Sequence, residues 1–87
     1  MQMKHEKLAS LYSALSKPVR LKILEYLLEN TNTCICHIAE HTGRDQSVVF
    51  RHIQALKEAG LVYTEKENKY LMCKICDKQK AKKLLEG

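Results

Sequence analysis

Apolar residues recur along the chain at two different spacings, and the switch between them marks out its elements. Leu8, Leu11, Tyr12 and Leu15 fall at i, i+3, i+4 and i+7, the stripe of an amphipathic helix, and Ser16-Lys17-Pro18 breaks it. A first helix over about 4–15 is predicted. Pro18 suits the first turn of a second helix, in which Leu21, Ile23, Leu24, Leu27 and Leu28 leave only a narrow polar face at Arg20, Lys22, Glu25 and Glu29. Such a helix must be nearly enclosed. The polar run Asn30-Thr31-Asn32 competes for backbone hydrogen bonds and ends it.

From Thr33 to Cys36 the chain is short, partly β-branched and alternating, which predicts one turn of strand running into a third helix over about 35–41. Thr42-Gly43-Arg44 makes a turn, Asp45 is a good N-cap acceptor, and a fourth helix over about 46–59 ends at Gly60. Along it Val49, Ile53 and Leu56 point one way, while Gln46, Ser47, Phe50, Arg51 and Gln54 point the other. Beyond Gly60, Leu61–Glu65 and Lys69–Cys73 read as strands around a charged hairpin tip at residues 66–69, and Asp77–Glu86 as a lysine-rich closing helix. This order, mainly α with a small β-hairpin wing, is that of a winged helix-turn-helix, in which the second helix of the pair enters the DNA major groove.

Composition narrows the field. The 87 residues make one domain, 1–87, too small for an elaborate buried cleft. Fifteen Lys and Arg against ten Asp and Glu, a net charge of +5, favour a polyanionic partner. No apolar run approaches the roughly 18 residues that span a bilayer, and the amino end lacks the apolar stretch of a signal peptide, so a cytoplasmic protein without a membrane partner is expected. In that reducing compartment the four cysteines point to free thiols, metal ligands or redox switches rather than permanent staples. No phosphate loop, no Ser-His-Asp set and no βαβ pattern around Cys73-x-x-Cys76 argues for an enzyme.

Two segments carry a family likeness. "LYSALSKPVRLKILEYLL" resembles the ArsR/SmtB signature A-L-x-x-P-x-R-L-x-I-L, and "DQSVVFRHIQALKEAGLV" resembles its S-Q-S-x-V-S-x-H-L-x-x-L-x-x-A-G-L-V, the likeness covering about residues 8–73. It implies a homodimeric, metal- or thiol-responsive transcriptional repressor. The first and last helices would then form the dimer interface, through Leu8, Leu11, Tyr12, Leu15, Leu84 and Leu85, on an inverted-repeat operator in double-stranded DNA.

The DNA expectation also stands on side-chain chemistry. Gln46 can pair bidentately with adenine and Ser47 lies beside it at the helix start, where a phosphate can also bind. Arg51, one turn on, reaches a guanine or a phosphate; Arg44 holds the backbone; Lys66 and Lys69 at the wing tip meet phosphate or the minor groove. Phe50 replaces the family's Ser and either touches thymine methyls or folds back as partial core. His52 is expected to be a hydrogen-bonding residue of the inner face rather than a ligand.

The family's sensing box typically reads E-L-C-V-x-D-L, and "TCICHIA" keeps both cysteines of its C-x-C variant, which binds soft metals or arsenite. His37 takes the Asp position and Ala39 the place of an arsenite responder's third Cys, so three thiolates cannot come from this helix alone. In winged helices the strand before the helix pair lies antiparallel to the second wing strand. Cys34 and Cys36 are therefore expected to approach Cys73 and Cys76 and build a tetrahedral site for Zn²⁺, Cd²⁺ or another thiophilic species such as arsenite, with His37 as a substitute ligand. Regulatory metal, structural zinc and thiol-redox switching compete as readings of this cluster. A protein- or RNA-binding adaptor with a purely structural zinc is the alternative outside gene regulation.

Overall fold

The computed structural model describes residues 2–30 and 32–86, with side chains from Leu8 onward; Thr31 of the expected helix-ending run lies outside the described residues. The elements are α1 (Gln2–Ala14), α2 (Pro18–Glu29), β1 (Thr33–Cys34), α3 (Ile35–Thr42), α4 (Gln46–Glu58), β2 (Val62–Glu67), β3 (Tyr70–Ile75) and α5 (Lys78–Glu86). All the elements expected from the pattern are present. The three strands form one antiparallel sheet in the order β1-β3-β2, with β1 on the open edge of the wing hairpin.

Apolar periodicity becomes a single core. Ile23, Leu24 and Leu27 of α2, Ile38 of α3, Val49, Ile53 and Leu56 of α4, and Val62 and Cys73 of the sheet are all under 2% exposed. Each aliphatic side chain taken from water in this way contributes about 1.5–3 kcal/mol, and together they fix α4 against α2 and α3. The stack of Tyr26 on His41, with ring centroids 4.3 Å apart, adds a second tie between α2 and the end of α3.

The turn of the helix pair is set by Gly43. It sits in the left-handed region at φ 69°, and the Arg44 amide reaches back to the Ala39 carbonyl at 3.1 Å, closing α3 with a glycine cap. Asp45 does occupy the N-cap of α4, yet its carboxylate makes no capping hydrogen bond, contrary to its expected acceptor role. Gly60 ends α4 in the same left-handed way at φ 78°. A side-chain cap that the sequence reading did not name is present on α5, where the Asp77 carboxylate accepts from the Gln79 and Lys80 amides at 3.0 and 3.2 Å. The wing strands run further than the sequence suggests: Lys66 and Glu67 still pair with Leu71 and Tyr70, which leaves only Asn68 and Lys69 in the turn.

Candidate DNA-reading face and thiol site

Helix α4 divides as its pattern demands. Val49, His52, Ile53 and Leu56 face the core, while Gln46, Ser47, Phe50 and Arg51 are exposed together, with Arg44 exposed in the preceding turn. Phe50 remains 42% exposed and is absent from the core, so the fold-back alternative is not what the structure shows. Lys66 and Lys69 are exposed at the far end of the hairpin. Lys57 Nζ, at the end of α4, donates to Thr64 Oγ1 at 3.3 Å and links the helix to the wing.

Behind this face a contact across 32 residues adds to the core packing. Arg20 Nε donates to His52 Nδ1 at 3.0 Å, and the same guanidinium's Nη1 donates to the Ser13 carbonyl at 2.7 Å. One arginine thus joins the end of α1, α2 and the inner face of α4. His52 must be neutral to accept. Burial pushes its pKa below the usual 6.5, and the positive charges of Arg20, Arg44, Lys17 and Arg51 push the same way. The inner-face reading of His52 fits this geometry, but its pairing with Arg20, one of four charged residues on the narrow polar face of α2, was beyond sequence reasoning.

At the thiol site, β1 does lie antiparallel to β3, with Thr33 opposite Cys73 and Cys34 opposite Met72. The four sulfurs nevertheless do not converge. Among the described residues, the ligand atoms of Cys34, Cys36 and His37 lie within 4.8 Å of one another, and neither Cys73 nor Cys76 joins them. Strand alternation keeps the two pairs of sulfurs apart. Cys73 shares its face with Thr33 and projects into the core, whereas Cys34 shares the opposite face with Met72. Burial also raises the Cys73 thiol to about 11, which disfavours the thiolate a metal requires. Cys76 lies four residues beyond Met72, about 13 Å along the strand direction, and is exposed.

Cys34 and Cys36 are joined as a disulfide with their α-carbons 5.3 Å apart. Cys34 is buried at the N-cap of α3, Cys36 half-buried and His37 exposed. Reduced, the pair presents two thiols and an imidazole, a soft nitrogen-sulfur donor set without the oxygen ligands that hard cations need. The residues therefore fit a thiophilic ion.

Of the apolar residues expected at a dimer interface, Leu8 and Tyr12 are 44% and 69% exposed. Leu11, Leu15, Leu84 and Leu85 are half-buried and pack on the core. The exposed part of that surface is thus carried by α1.

Comparison with known proteins places this geometry. Residues 17–64, from the start of α2 to the first wing strand, match the family model described as bacterial regulatory protein, arsR family. The chain belongs to the arsR family. A family relative, an uncharacterized HTH-type transcriptional regulator of Methanocaldococcus jannaschii, is 36% identical over 74 residues, covering 85% of this chain and 83% of that protein. An arsenical resistance operon repressor of Staphylococcus xylosus is 34% identical over 70 residues, 79% of this chain and 66% of the repressor. In structure, the homodimeric winged helix-turn-helix DNA-binding domain of a possible ArsR-family regulator from Mycobacterium bovis superposes with a TM-score of 0.84 at 26% identity, over 98% of this chain and 77% of that one. Family and fold are those of DNA-binding transcriptional regulators, not of enzymes. Among the described residues no helix is long and apolar enough to cross a membrane.

Proposed function

We propose that this arsR-family protein is a homodimeric repressor whose hold on an inverted-repeat operator changes when a soft, thiophilic ion binds the reduced Cys34–Cys36 pair. The observation that carries the reading is the position of that pair. Cys34 ends the strand that hydrogen-bonds to the wing, and Cys36 lies in the first turn of the first helix of the DNA-binding pair. An ion gripping both thiolates, with His37 beside them, acts on the junction between the two parts that meet DNA. The arsenical resistance repressor among its relatives supports the chemical class.

In this reading Gln46, Ser47, Phe50 and Arg51 face the bases, and Arg44, Lys66 and Lys69 meet phosphates. Leu8 and Tyr12 form the centre of the dimer contact, with Leu11, Leu15, Leu84 and Leu85 behind them. As a regulator of genes the protein works in the cytoplasm. The Cys34–Cys36 disulfide favours a second reading, in which two-electron oxidation of the same thiols is itself the signal. Selection from random duplexes tests the common core of both. Enrichment of an inverted repeat, bound with steep salt dependence, is expected; equal affinity for any polyanion would instead support a winged-helix adaptor.

A further inference from the structure

The register that turns Cys73 away from the thiol site turns Met72 toward it. Cys34 and Met72 are direct Cα partners in the β1–β3 pair. Residues opposed in this way project to the same side of the sheet, with Cβ atoms about 4.5–5.5 Å apart. The Met72 side chain, unbranched and rotatable, ends in a soft thioether that suits a monovalent ion of the copper group.

Among the described residues, core packing does not account for Met72. It is half-buried, yet it does not pack against the hydrophobic core, as its strand neighbours Leu71 and Ile75 do. The next residue across the sheet in the same row is Glu65, whose carboxylate is held by Lys74. The hard oxygen donor nearest in register is therefore engaged elsewhere, and Met72 is the soft donor opposite Cys34 in the pairing.

We propose that Met72 supplies a thioether ligand to the Cys34–Cys36 site, making a three-sulfur set selective for Cu(I). The proposal rests on the soft-ion reading above and names its ion and an additional ligand. Loading proceeds in two balanced steps. A dithiol reductant gives two electrons and two protons to the Cys34–Cys36 disulfide, yielding two thiols and the oxidised reductant. Cu(I) then displaces the two thiol protons and bonds to both sulfurs and to the Met72 thioether. Because Met72 belongs to β3 and Cys36 to α3, the bound ion ties the wing to the first helix of the DNA-binding pair.

The test is Cu(I) affinity by competition with a chromophoric Cu(I) chelator, on reduced, oxygen-free full-length protein, with X-ray absorption to count sulfur ligands. Losing even an outer-shell partner of a metal ligand typically costs about 10–100-fold, and Met72 is proposed as a direct ligand. Met72→Leu should therefore weaken Cu(I) by at least about tenfold and lower the sulfur count from three to two, while Cd²⁺ affinity changes little. Met72→Leu with wild-type Cu(I) affinity and sulfur count would overturn the Met72 assignment alone, provided the double variant Cys34→Ser/Cys36→Ser no longer binds Cu(I). If wild type and that double variant bind Cu(I) equally, or neither binds it, the assignment falls together with a Cu(I) role for the thiol pair. Retention of Cd²⁺ by wild type but not by the double variant would then keep the broader soft-ion reading alive.

Discussion

Replacing Arg20 by Leu tests how much one guanidinium adds to the core packing behind the DNA-reading helix. The substitution removes two hydrogen bonds, to His52 Nδ1 at 3.0 Å and to the Ser13 carbonyl at 2.7 Å. The second acceptor is exposed and turns to water, so its loss costs little. His52 is 9% exposed, and an acceptor stranded there carries a desolvation cost of about 1–3 kcal/mol. A net loss of about 2 kcal/mol follows, which in a domain of this size lowers the thermal midpoint by about 8–16 °C. His52→Leu in the same background removes the stranded acceptor, so the double variant should be little worse than Arg20→Leu, with a coupling of about 1–2 kcal/mol. Urea unfolding of wild type, both single variants and the double variant at one protein concentration measures that coupling. Additive losses, agreeing within about 0.5 kcal/mol, would refute the claim that the two side chains act as a pair.

Three further outcomes follow from the same contacts. His52 is neutral in the folded state with a lowered pKa, so below the usual value of 6.5 the unfolded chain takes up a proton that the folded chain resists. Stability from this group is therefore full above that pH and falls as the pH drops below it; His52→Gln should flatten this part of the pH-stability curve, and an unchanged slope would contradict the assignment. Gln46→Ala and Arg51→Ala should each weaken specific operator binding by about 1–3 kcal/mol with an unchanged thermal midpoint, and intact binding in both would remove α4 as the reading helix. Cys73→Ala should leave metal stoichiometry unchanged while lowering urea stability by about 1 kcal/mol through the small cavity it opens; loss of metal would restore Cys73 to the site.

Much of the fold was legible because its helices repeat at 3.6 residues and bury one face. The stripe Val49, Ile53 and Leu56 placed the core side of α4 and left Gln46, Ser47, Phe50 and Arg51 outside, and glycine marked the ends of α3 and α4. The thiol site was legible only to the level of the backbone. That β1 runs beside β3 could be expected from the order of elements, but which residue stands opposite Cys34 depends on a one-residue register, and one residue reverses the face. The pattern therefore pointed to Cys73 where the structure presents Met72. The Arg20–His52 bond was unreadable for a different reason, since nothing local ties residues 32 positions apart in two helices whose relative packing is set by the whole core. Asp45 shows the limit of cap signals: the position was right and the hydrogen bond absent.

The most direct test of the account is operator affinity measured on one preparation of reduced protein, by fluorescence anisotropy of the selected duplex, with and without one equivalent of a thiophilic ion. The account predicts a change of about 5–150-fold, the range of a coupling of roughly 1–3 kcal/mol, which disappears in Cys34→Ser/Cys36→Ser. Equal affinity with and without the ion, in protein shown to hold it at Cys34 and Cys36, would contradict the claim that this site governs DNA binding.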